Sequence, residues 1–431
     1  MSTLLDRSTF ETSRALEYFS EKELCAQIGH PVEFWPVAVL RELIDNALDA
    51  AEGANIAPEI LITISGECLT VADNGPGIPP DTVVRSLDYL VRVSNKAYYV
   101  SPTRGQMGNA LKVIYAAPFV SSGGGSIEIL TRGERHCIEI SLDRIAQRPE
   151  VRHTKEVAVV KSGTEVKIHW RDLARLLSEP SADSYNPPPK AEEIVRGYAA
   201  FNPHASFVLN GQGYPSSGLF TKWSPRQPTS AHWYTPETLR DLIAAYIAKR
   251  REGAPERTVR EFVAEFRGLS STVKQKAVTE GWQGKRLHDF VVAGDVDADF
   301  VQEILGRMQA ASTAPPPQQL GIIGKEHLSR WMAAQGVART SIKYQQKRGI
   351  DKGLPYVFEV AFGINEDDRA TRHILCGLNW SPVIGGDPGD PTLRDAIAEA
   401  NLGRNDPVTL VLHIARPRFQ YADRGKTRIS L

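Results

Sequence analysis

The fold of this 431-residue chain is decided by the stretch Arg41-Glu-Leu-Ile-Asp-Asn-Ala-Leu-Asp-Ala50. Helical spacing places Glu42, Asn46 and Asp49 on one face of a helix. The opposite face is apolar and is expected to pack on a core; it consists of Leu40, Ile44, Ala47 and Ala51. Two carboxylates and an amide with no cation among them are typical of a solvated helix face or of a ligand site. The helix alone leaves both interpretations open.

The next segment points to the ligand site. Strict alternation in Glu59-Ile-Leu-Ile-Thr-Ile-Ser65 predicts a strand, and Cys68-Leu-Thr-Val-Ala72 predicts a second one. The second strand runs into Asp73-Asn-Gly-Pro-Gly-Ile78. An aspartate followed by two glycines forms either an ordinary hairpin-type turn or a turn at which a ligand approaches the backbone closely.

Two weaker signals follow along the chain. The segment Arg104-Gly-Gln-Met-Gly-Asn-Ala-Leu-Lys112 leads into an apolar helix. Glycines before a helix start allow backbone N–H groups and the helix dipole to hold a phosphate. Ser162-Gly-Thr-Glu-Val166 predicts the start of a strand with a threonine at its head. Each of these two segments is a weak signal by itself.

The four segments that begin at Arg41, Asp73, Arg104 and Ser162, taken in this order, resemble the ATP site of the GHKL family. That family includes gyrase-type topoisomerases, a class of heat-shock chaperones, histidine kinases and MutL. The resemblance rests on Glu42-x-x-x-Asn46-x-x-Asp49-Ala50, Asp73-x-Gly75-x-Gly77, the glycine-rich lid and Gly163-Thr164. Ala110 departs from the pattern, because the family usually has a further glycine there. The resemblance implies an α/β fold, namely the GHKL (Bergerat) sandwich on a mixed sheet, with ATP and Mg²⁺ as cofactors.

The resemblance also assigns roles. Glu42 is the carboxylate best placed to activate water as general base, and Asn46 offers an oxygen to Mg²⁺. Asp73 accepts from the adenine amino group with support from Thr164. The remaining expected cofactor-binding residues are Asp49, Gly75, Gly77, Ser94, Asn95, Lys96, Arg104, Gly105, Gln106, Met107, Gly108, Asn109 and Lys112. The chain has no Gly-x-x-x-x-Gly-Lys-Ser/Thr motif, so the phosphates are not expected in a P-loop.

Within the family, the lid Thr103-Arg-Gly-Gln-Met-Gly108 is similar to the Ser-Arg-Gly-Gln-Gln-Gly lid of the topoisomerase VI B subunit. A helical part around residues 258–263 resembles that family's helix-two-turns-helix insert. Further similar segments lie in collinear order at Ser94-Asn95-Lys96, Asn202-Pro-His-Ala205, Leu320-Gly-Ile-Ile-Gly-Lys-Glu326, Leu354-Pro-Tyr-Val-Phe-Glu-Val360 and Val411-Leu-His-Ile-Ala415. By the same resemblance, Lys426 is the switch lysine that reaches the γ-phosphate, and we count it with Glu42 as catalytic.

Composition sets bounds on these interpretations. The 51 basic and 51 acidic residues give zero formal net charge, so a nucleic-acid partner requires local basic patches. The four cysteines are scattered and form neither a metal spacing nor a disulfide framework, which fits a reducing cytoplasm. No signal peptide or membrane-spanning run is evident. We therefore expect a cytoplasmic, nucleoid-associated protein without a membrane partner.

We expect four parts: an N-terminal strap or helix (1–36), an ATP-binding domain (37–228), a helical domain (229–313) and a second α/β transducer domain (314–431). In the first part, most residues are expected to cover the sheet, and the first few to form a strap exchanged between protomers. Strands are predicted at Gly123–Thr131, His136–Ser141 and Val157–Val160 in the ATP domain. A βαβ crossover with a helix at Thr392–Ala400 is predicted in the last part.

Basic residues gather in the helical part. They form either a solvated helix face or a DNA-phosphate surface, and both interpretations stay open. The residues are Lys249, Arg250, Arg251, Arg257, Arg260, Lys274, Lys276, Lys285 and Arg286.

The expected function is that of the ATP-hydrolysing subunit of a type II DNA topoisomerase of the topoisomerase VI kind. Such a protein dimerises on ATP as a clamp on double-stranded DNA, with a separate Toprim-type partner, similar to the topoisomerase VI A subunit, that cuts the DNA. No cleavage centre is evident in this chain. The family continues past the switch lysine into a stalk helix that grips the partner, whereas this chain ends at Leu431, which puts docking in question.

Other classes fit less well. The alternative is a stand-alone GHKL clamp of the defence or chromatin type, which acts on DNA without strand passage. A histidine kinase would need a phospho-accepting histidine on a helix before the ATP domain, and His30 is flanked by Gly29 and Pro31. A chaperone is disfavoured by the helical insert.

Overall fold

The structure, a computed structural model, describes residues 18–89, 97–104, 110–143, 145, 148–159, 162–178, 188–218, 220–250, 253, 255–384, 403, 405–421 and 429–430. Several predicted features lie outside these residues. They are the strap at 1–17, Ser94–Lys96, the lid residues Gly105–Asn109, the helix Thr392–Ala400 and Lys426.

The first half of the chain builds an eight-stranded sheet in the order β5-β4-β3-β6-β2-β1-β7-β8. Its strands are β1 Glu59–Ser65, β2 Cys68–Asp73, β3 Gly125–Thr131, β4 Glu134–Asp143, β5 Arg148–Val157, β6 Thr164–Trp170, β7 Ser206–Leu209 and β8 Gln212–Tyr214. Only the β1–β7 pair is parallel, so this sheet is mixed, as predicted.

The strand predicted at Val157–Val160 is wrong at Ala158 and Val159, while Val160 lies outside the described residues. The strand instead covers Arg148–Val157, where charged and polar residues alternate with half-buried ones along the sheet edge. Apolarity alone suggested the later residues, but Val157 and Val159 are almost fully exposed. A charged edge strand has a physical use, because it discourages pairing with another chain.

Helices cover one face of this sheet. They are α1 Glu21–Ile28, α2 Trp35–Gly53, α3 Pro80–Ser86, α4 Ala110–Ser122, α5 Leu173–Ser178 and α6 Ala191–Phe201. Period-two burial in β1 turns Ile60 and Ile62 towards the helices, and the apolar face of α2 meets them in the same core. Each fully buried isoleucine or leucine of this core contributes about 2 kcal/mol of transfer free energy. The packing fixes α2 lengthwise against the sheet.

The middle of the chain is helical. Its helices are α7 Pro236–Arg250, α8 Val259–Ala264, α9 Thr272–Val278 and α10 Ala298–Ala311. Thr258 and Glu261 form a capping box that starts α8, and the Asp297 side chain accepts from two backbone N–H groups to start α10. A short hairpin of β9 Val291–Val292 and β10 Asp295–Val296 precedes α10.

The last part contains α11 Lys325–Ala334 and a five-stranded sheet in the order β11-β12-β15-β13-β14. Its strands are β11 Lys343–Asp351, β12 Leu354–Ile364, β13 His373–Leu378, β14 Ser381–Pro382 and β15 Val408–Ala415. The pair β13–β15 is parallel, as a crossover between them requires. A last hairpin joins β16 Gln420–Tyr421 to β17 Ile429–Ser430.

A single hydrophobic core runs from the helical part into the second sheet. Phe262 and Met308 of the helical part share it with Val357 and Val411 of the sheet. The division predicted at residue 313 therefore separates two segments whose side chains pack together. None of the helices in the described residues is both long and apolar enough to cross a membrane.

Candidate functional site

Helix α2 presents the predicted polar face. Asn46 is exposed, and Glu42 is half-buried and forms an ion pair with Arg41 at 3.5 Å. The residues predicted to be apolar, Leu40, Ile44, Ala47 and Ala51, are all buried. The helix therefore offers a carboxylate and an amide at the protein surface, held by a firmly packed apolar face.

The Asp73 turn lies against the far end of the same helix. A Cβ placed on Gly75 would come within 3.3 Å of Ala50 Cβ and of the Ala51 backbone nitrogen. Ala50 follows Glu42 by eight residues, about 12 Å along a helix axis. The Asp73 turn and Glu42 therefore lie about two helical turns apart along α2.

Asp73 is held by backbone donors from two separate boxes. Its Oδ1 accepts from Gly75 N at 2.8 Å and from Thr164 N at 3.3 Å. Within the described residues no hydrogen bond reaches Oδ2, which leaves this oxygen for a ligand donor. The Thr164 hydroxyl accepts from Ile78 N at 3.2 Å and fastens the far end of the turn.

Close backbone approach explains the glycines. Gly163 has φ +80°, and a Cβ there would lie 1.7 Å from the Asp73 carbonyl oxygen. Gly77 has φ +78°, and a Cβ there would clash with Thr131 Oγ1 at 2.8 Å. No side chain fits at either position, so only backbone surrounds the Asp73 carboxylate here. We call this turn, formed by residues 73–78 and by Gly163 and Thr164, the cradle. An adenine-sized ring with an amino donor fits this chemistry, and an amide oxygen such as that of Asn46 suits Mg²⁺.

Burial raises the pKa of Asp73 to about 6, although the hydrogen bonds from Gly75 and Thr164 lower it. A carboxylate that is charged at neutral pH in a partly desolvated site gains from a hydrogen-bond donor on a ligand. Strongly perturbed groups of this kind cluster at functional sites.

A buried acidic stripe follows the next face of α2. It consists of Asp45, Asp49 and Glu52, at helical spacings of four and three residues. Arg104 enters it with its side chain only 1% exposed. Its Nη1 lies 3.2 Å from Asp49 and 2.9 Å from Glu52, its Nε lies 3.7 Å from Asp45, and its Nη2 donates to Asn202.

This network holds its charges in place. Burial alone would lower the pKa of Arg104, but Glu52, Asp49 and Asp45 outweigh it and raise that pKa above its ordinary value. Burial opposes ionisation of Glu52, yet Arg104 and Lys222 hold the Glu52 pKa well below its usual range. Removing one partner of such a buried set costs roughly 3–5 kcal/mol, because an uncompensated charge remains.

Lys222 completes the set. Its Nζ lies 2.6 Å from Glu52 and stands 4.3 Å from the centre of the Trp380 ring. Burial and the Arg104 guanidinium lower the pKa of Lys222 to about 8 against the attraction of Glu52. His204 Nε2 lies 3.0 Å from the other Glu52 oxygen. Three segments that are distant along the chain, around residues 104, 204 and 222, therefore meet on α2.

The segment before the lid is anchored at several points. Tyr99 hydrogen-bonds Tyr246 of α7, and Tyr234 accepts from Val100 N at 3.0 Å. Arg104 then enters the acidic stripe. The chain that leads into residues 105–109 is thus tied to both the helical part and α2.

The predicted site residues divide into three sets. The structure places Asp73, Gly75, Gly77 and Thr164 together near the C-terminal end of α2, and it places Asn46 and Glu42 further towards the N-terminus of the same helix. It places Asp49 and Arg104 together in the buried network, where each pairs with protein groups, and it places Lys112 on α4 with its side chain buried. The third set lies outside the described residues and consists of Ser94, Asn95, Lys96, Gly105, Gln106, Met107, Gly108, Asn109 and Lys426. The cofactor roles assigned to individual residues in all three sets stay predictions.

The sequence analysis missed the residues that complete the network. Asp45 and Glu52 carried a detectable signal, because acids at 45, 49 and 52 follow helical spacing on a helix that is otherwise buried. Lys222 and Trp380 carried none, because they join the network from distant parts of the chain. His204 lies in the segment Asn202–Ala205, which the family resemblance singled out, but no pattern predicted its contact with Glu52.

Comparison with known proteins supports the ATP-site interpretation. Residues 32–172 match the model of the family described as histidine kinase-, DNA gyrase B-, and HSP90-like ATPase. That span contains Glu42, Asn46, Asp73 and Thr164 with the cradle between them. The predicted GHKL fold of this part is confirmed, and an ATP-binding function follows for the domain.

Curated relatives extend the resemblance beyond this domain. The chain is 25% identical to the B subunit of type 2 DNA topoisomerase 6 from Methanothermobacter thermautotrophicus, over 91% of this chain and 76% of the relative. It is 24% identical to the protein of that name from Metallosphaera sedula, over 98% and 81% of the two chains. It is 22% identical to the protein of that name from Archaeoglobus fulgidus, over 96% of this chain and 69% of the relative. The predicted resemblance to the topoisomerase VI B subunit is thus confirmed over most of the chain.

Among solved structures, the chain is similar to the MutL ATPase domain of Aquifex aeolicus carrying a single substitution. The two are 15% identical with a TM-score of 0.33, and the match covers 90% of this chain and 92% of the other.

Proposed function

We propose that this chain, whose residues 32–172 match the GHKL ATPase family, binds and hydrolyses ATP as the ATPase subunit of a topoisomerase VI-like complex. The observation that carries the proposal is the cradle around Asp73, set against the helix that presents Glu42 and Asn46. The Asp73 carboxylate has one oxygen available to a nucleobase donor. The Glu42 carboxylate and the Asn46 amide lie further along the same helix.

The residues act in distinct ways. Asp73 Oδ2 accepts from the adenine amino group, while the backbone of the cradle excludes side chains from the ring. Asn46 offers its amide oxygen to Mg²⁺, which, when bound, neutralises phosphate charge. Glu42 accepts the proton of the attacking water. Lid amides of Gly105–Gly108 contact the phosphates, and Lys426 contacts the terminal phosphate.

Resemblance over most of the chain supports the larger assembly. We propose that ATP drives a homodimer that closes as a clamp on double-stranded DNA. Its Toprim-type partner, similar to the topoisomerase VI A subunit, carries the cleavage centre. The cytoplasm, in association with the nucleoid, is the expected location.

Charges in the helical part supply a DNA surface. Arg257 and Arg286 are paired with Glu265 and Glu256, so their charges are neutralised locally. Lys274, Lys276 and Lys285, on α9 and the loop after it, are exposed. Exposed lysines attract phosphate without reading sequence.

Two measurements test this function. Purified protein with Mg²⁺·ATP is assayed for phosphate release, with and without DNA, and its mass is followed by analytical ultracentrifugation with a non-hydrolysable analogue. The proposal predicts DNA-dependent phosphate release and a monomer that becomes a dimer with the analogue. A monomer under saturating analogue would remove the clamp. Co-purification of a Toprim-type protein separates strand passage from the alternative, a stand-alone GHKL clamp.

A further inference from the structure

The second sheet contacts helix α2 at the tight turn between β13 and β14, where Ser381 bonds Asp45. Residues Asn379 and Trp380 connect β13 to β14, and Leu378 pairs directly with Ser381. Both turn residues have positive φ, +46° and +68°. Two-residue hairpins of this type favour Asn-Gly, because a bulky side chain at the second position is strained. A tryptophan occupies that position here.

The surroundings hold this strained residue. Trp380 is fully buried, with Lys222 over its ring and Phe220 against its edge. Its backbone nitrogen donates to His413 Nε2 at 3.3 Å, and its carbonyl accepts from Asn202 Nδ2 at 2.9 Å. Contacts from several elements therefore fix a conformation that the turn would not adopt on its own.

The residue after Trp380, Ser381, contacts helix α2. Ser381 donates its hydroxyl proton to Asp45 Oδ1, and Tyr198 of α6 donates to the same oxygen at 2.7 Å. Asp45 is buried and lies one position before Asn46 and three positions after Glu42. A shift of the turn would remove a donor from a buried carboxylate on the helix that carries both polar residues.

The other side of the turn meets the last strand. Asn379 N donates to Ile414 O at 2.9 Å, and the Asn379 side chain exchanges hydrogen bonds with the Arg416 backbone at 2.9 and 3.0 Å. Arg416 directly follows β15, on the segment that continues towards Lys426. One turn is therefore hydrogen-bonded to α2 on one side and to the segment after β15 on the other.

Close packing leaves this arrangement little freedom. A Cβ on Gly197 of α6 would lie 2.9 Å from Pro382, and a Cβ on Gly377 would lie 2.5 Å from the Phe201 ring. Helix α6 is thus pressed between α2 and the β13–β14 hairpin, and the hairpin cannot move without displacing it.

We propose that Asp45 and Ser381 are positioning residues that couple the second sheet to helix α2. Nucleotide binding at α2 then changes the position of the 379–381 turn. Conversely, the position of the turn changes the affinity for nucleotide. The nucleotide-dependent part of this proposal rests on the proposed ATPase function. The link between the turn and α2 rests on the Asp45–Ser381 contact alone. Thermodynamic linkage makes the two directions equal.

The test compares Ser381→Ala with Ser341→Ala in hydrogen exchange and calorimetry. Ser341 is a matched control, because its hydroxyl also donates within the last part of the chain, to Ala338 O, away from α2. Without nucleotide, Ser381→Ala is expected to speed exchange within 35–53 at least about threefold, and Ser341→Ala to leave it unchanged. With a non-hydrolysable ATP analogue, the wild-type protein is expected to gain protection at 376–383 and Ser381→Ala to lose that response. Ser381→Thr, which keeps the hydroxyl, is expected to restore it.

The outcomes are separable. Equal exchange within 35–53 for Ser381→Ala and Ser341→Ala would overturn the coupling and leave the ATPase proposal standing. Faster exchange in Ser381→Ala together with no analogue binding by the wild-type protein would support the contact and overturn the ATPase proposal. Unchanged analogue affinity in Ser381→Ala with intact binding by the wild-type protein would also overturn the coupling.

Discussion

Gly163 lies directly against the backbone of Asp73, so closely that a Cβ on the glycine would stand 1.7 Å from the Asp73 carbonyl oxygen. The two residues are 90 positions apart; Gly163 directly precedes β6, and Asp73 ends β2. Pairing of β2 with β6 brings them together, and the Thr164 N–H then reaches the Asp73 carboxylate. The absence of side chains around the Asp73 turn therefore depends on the register of β2 and β6 as well as on the glycines in the sequence.

Gly163→Ala tests this contact. The methyl group would meet backbone at a positive φ, so we expect a loss of unfolding free energy on the order of 3 kcal/mol or more. We also expect nucleotide binding to disappear. Chemical denaturation and calorimetry measure the two effects. Gly213→Ala is the control, because nothing lies within 4 Å of its added Cβ, and it should change stability by less than about 0.5 kcal/mol.

Asp73→Asn should separate stability from binding. The pKa of Asp73 is raised from 3.8 to about 6 by burial, so the folded state binds its proton more tightly than the unfolded state does. Stability contributed by this proton is present below pH 4 and is lost as pH rises towards 6 and above. Asparagine keeps the Oδ1 acceptor without the charge. We therefore expect a gain of about 1–2 kcal/mol at pH 7.5 that vanishes near pH 4, together with at least about tenfold weaker ATP binding.

Urea unfolding at the two pH values measures the stability, and calorimetry measures the affinity. Asp81→Asn serves as control, because Asp81 is an exposed acid in the first turn of α3. Unchanged ATP affinity in Asp73→Asn would contradict the adenine role.

Much of this site could be predicted from sequence because its boxes depend on local rules. Helical spacing placed Asn46 and Glu42 on one face, and strand alternation placed Asp73 at a strand end. The type of each element followed from periodicity, and the structure confirms α2, β1, β2 and β6.

The remainder depended on distant partners. Asp45 and Glu52 belong to a buried ionic stripe only because Arg104 and Lys222 approach it, and no local pattern encodes that approach. The strained Trp380 turn is equally hidden, since its stability comes from Lys222, His413 and Asn202. The error at Val157–Val160 has the same origin: apolarity was read as burial at a sheet edge where the register leaves Val157 exposed.

Glu42→Ala should separate binding from hydrolysis. The Glu42 side chain is 19% exposed and forms a long ion pair with Arg41 at 3.5 Å, so its loss costs little stability. We expect ATP binding and dimerisation to persist while hydrolysis slows at least about 10²-fold, the usual scale for loss of a general base. Phosphate release with analytical ultracentrifugation measures both. Glu33→Ala, a half-buried glutamate just before α2, is expected to retain turnover. Wild-type turnover in Glu42→Ala would remove the general-base assignment.

Exposed lysines of the helical part should control DNA affinity. Replacing Lys274, Lys276 and Lys285 together by glutamine removes up to three phosphate contacts, and each contact contributes about 0.9 to the slope of log K against log salt. We expect the slope to fall by as much as about 2.7, measured by fluorescence anisotropy on duplex DNA at several salt concentrations. The matched control replaces three exposed lysines of the second sheet, Lys343, Lys347 and Lys352. Equal losses in the two triple variants would indicate general electrostatics and no localised surface.

Lys426 provides the last test, because it would join the two halves of the chain. It lies in the segment 422–428, whose flanking strands β16 and β17 pair with each other, after β15 and Arg416. A lysine ammonium is a compact point charge suited to a terminal phosphate. Lys426→Ala should therefore reduce ATP hydrolysis strongly while leaving ADP affinity nearly unchanged, because ADP lacks that phosphate. A solvated lysine would affect neither quantity. Arg424→Ala and Arg428→Ala are the controls, since both share the charge of the same segment. Equal losses in all three variants would point to a general electrostatic contribution, and a loss confined to Lys426→Ala would identify a specific phosphate contact.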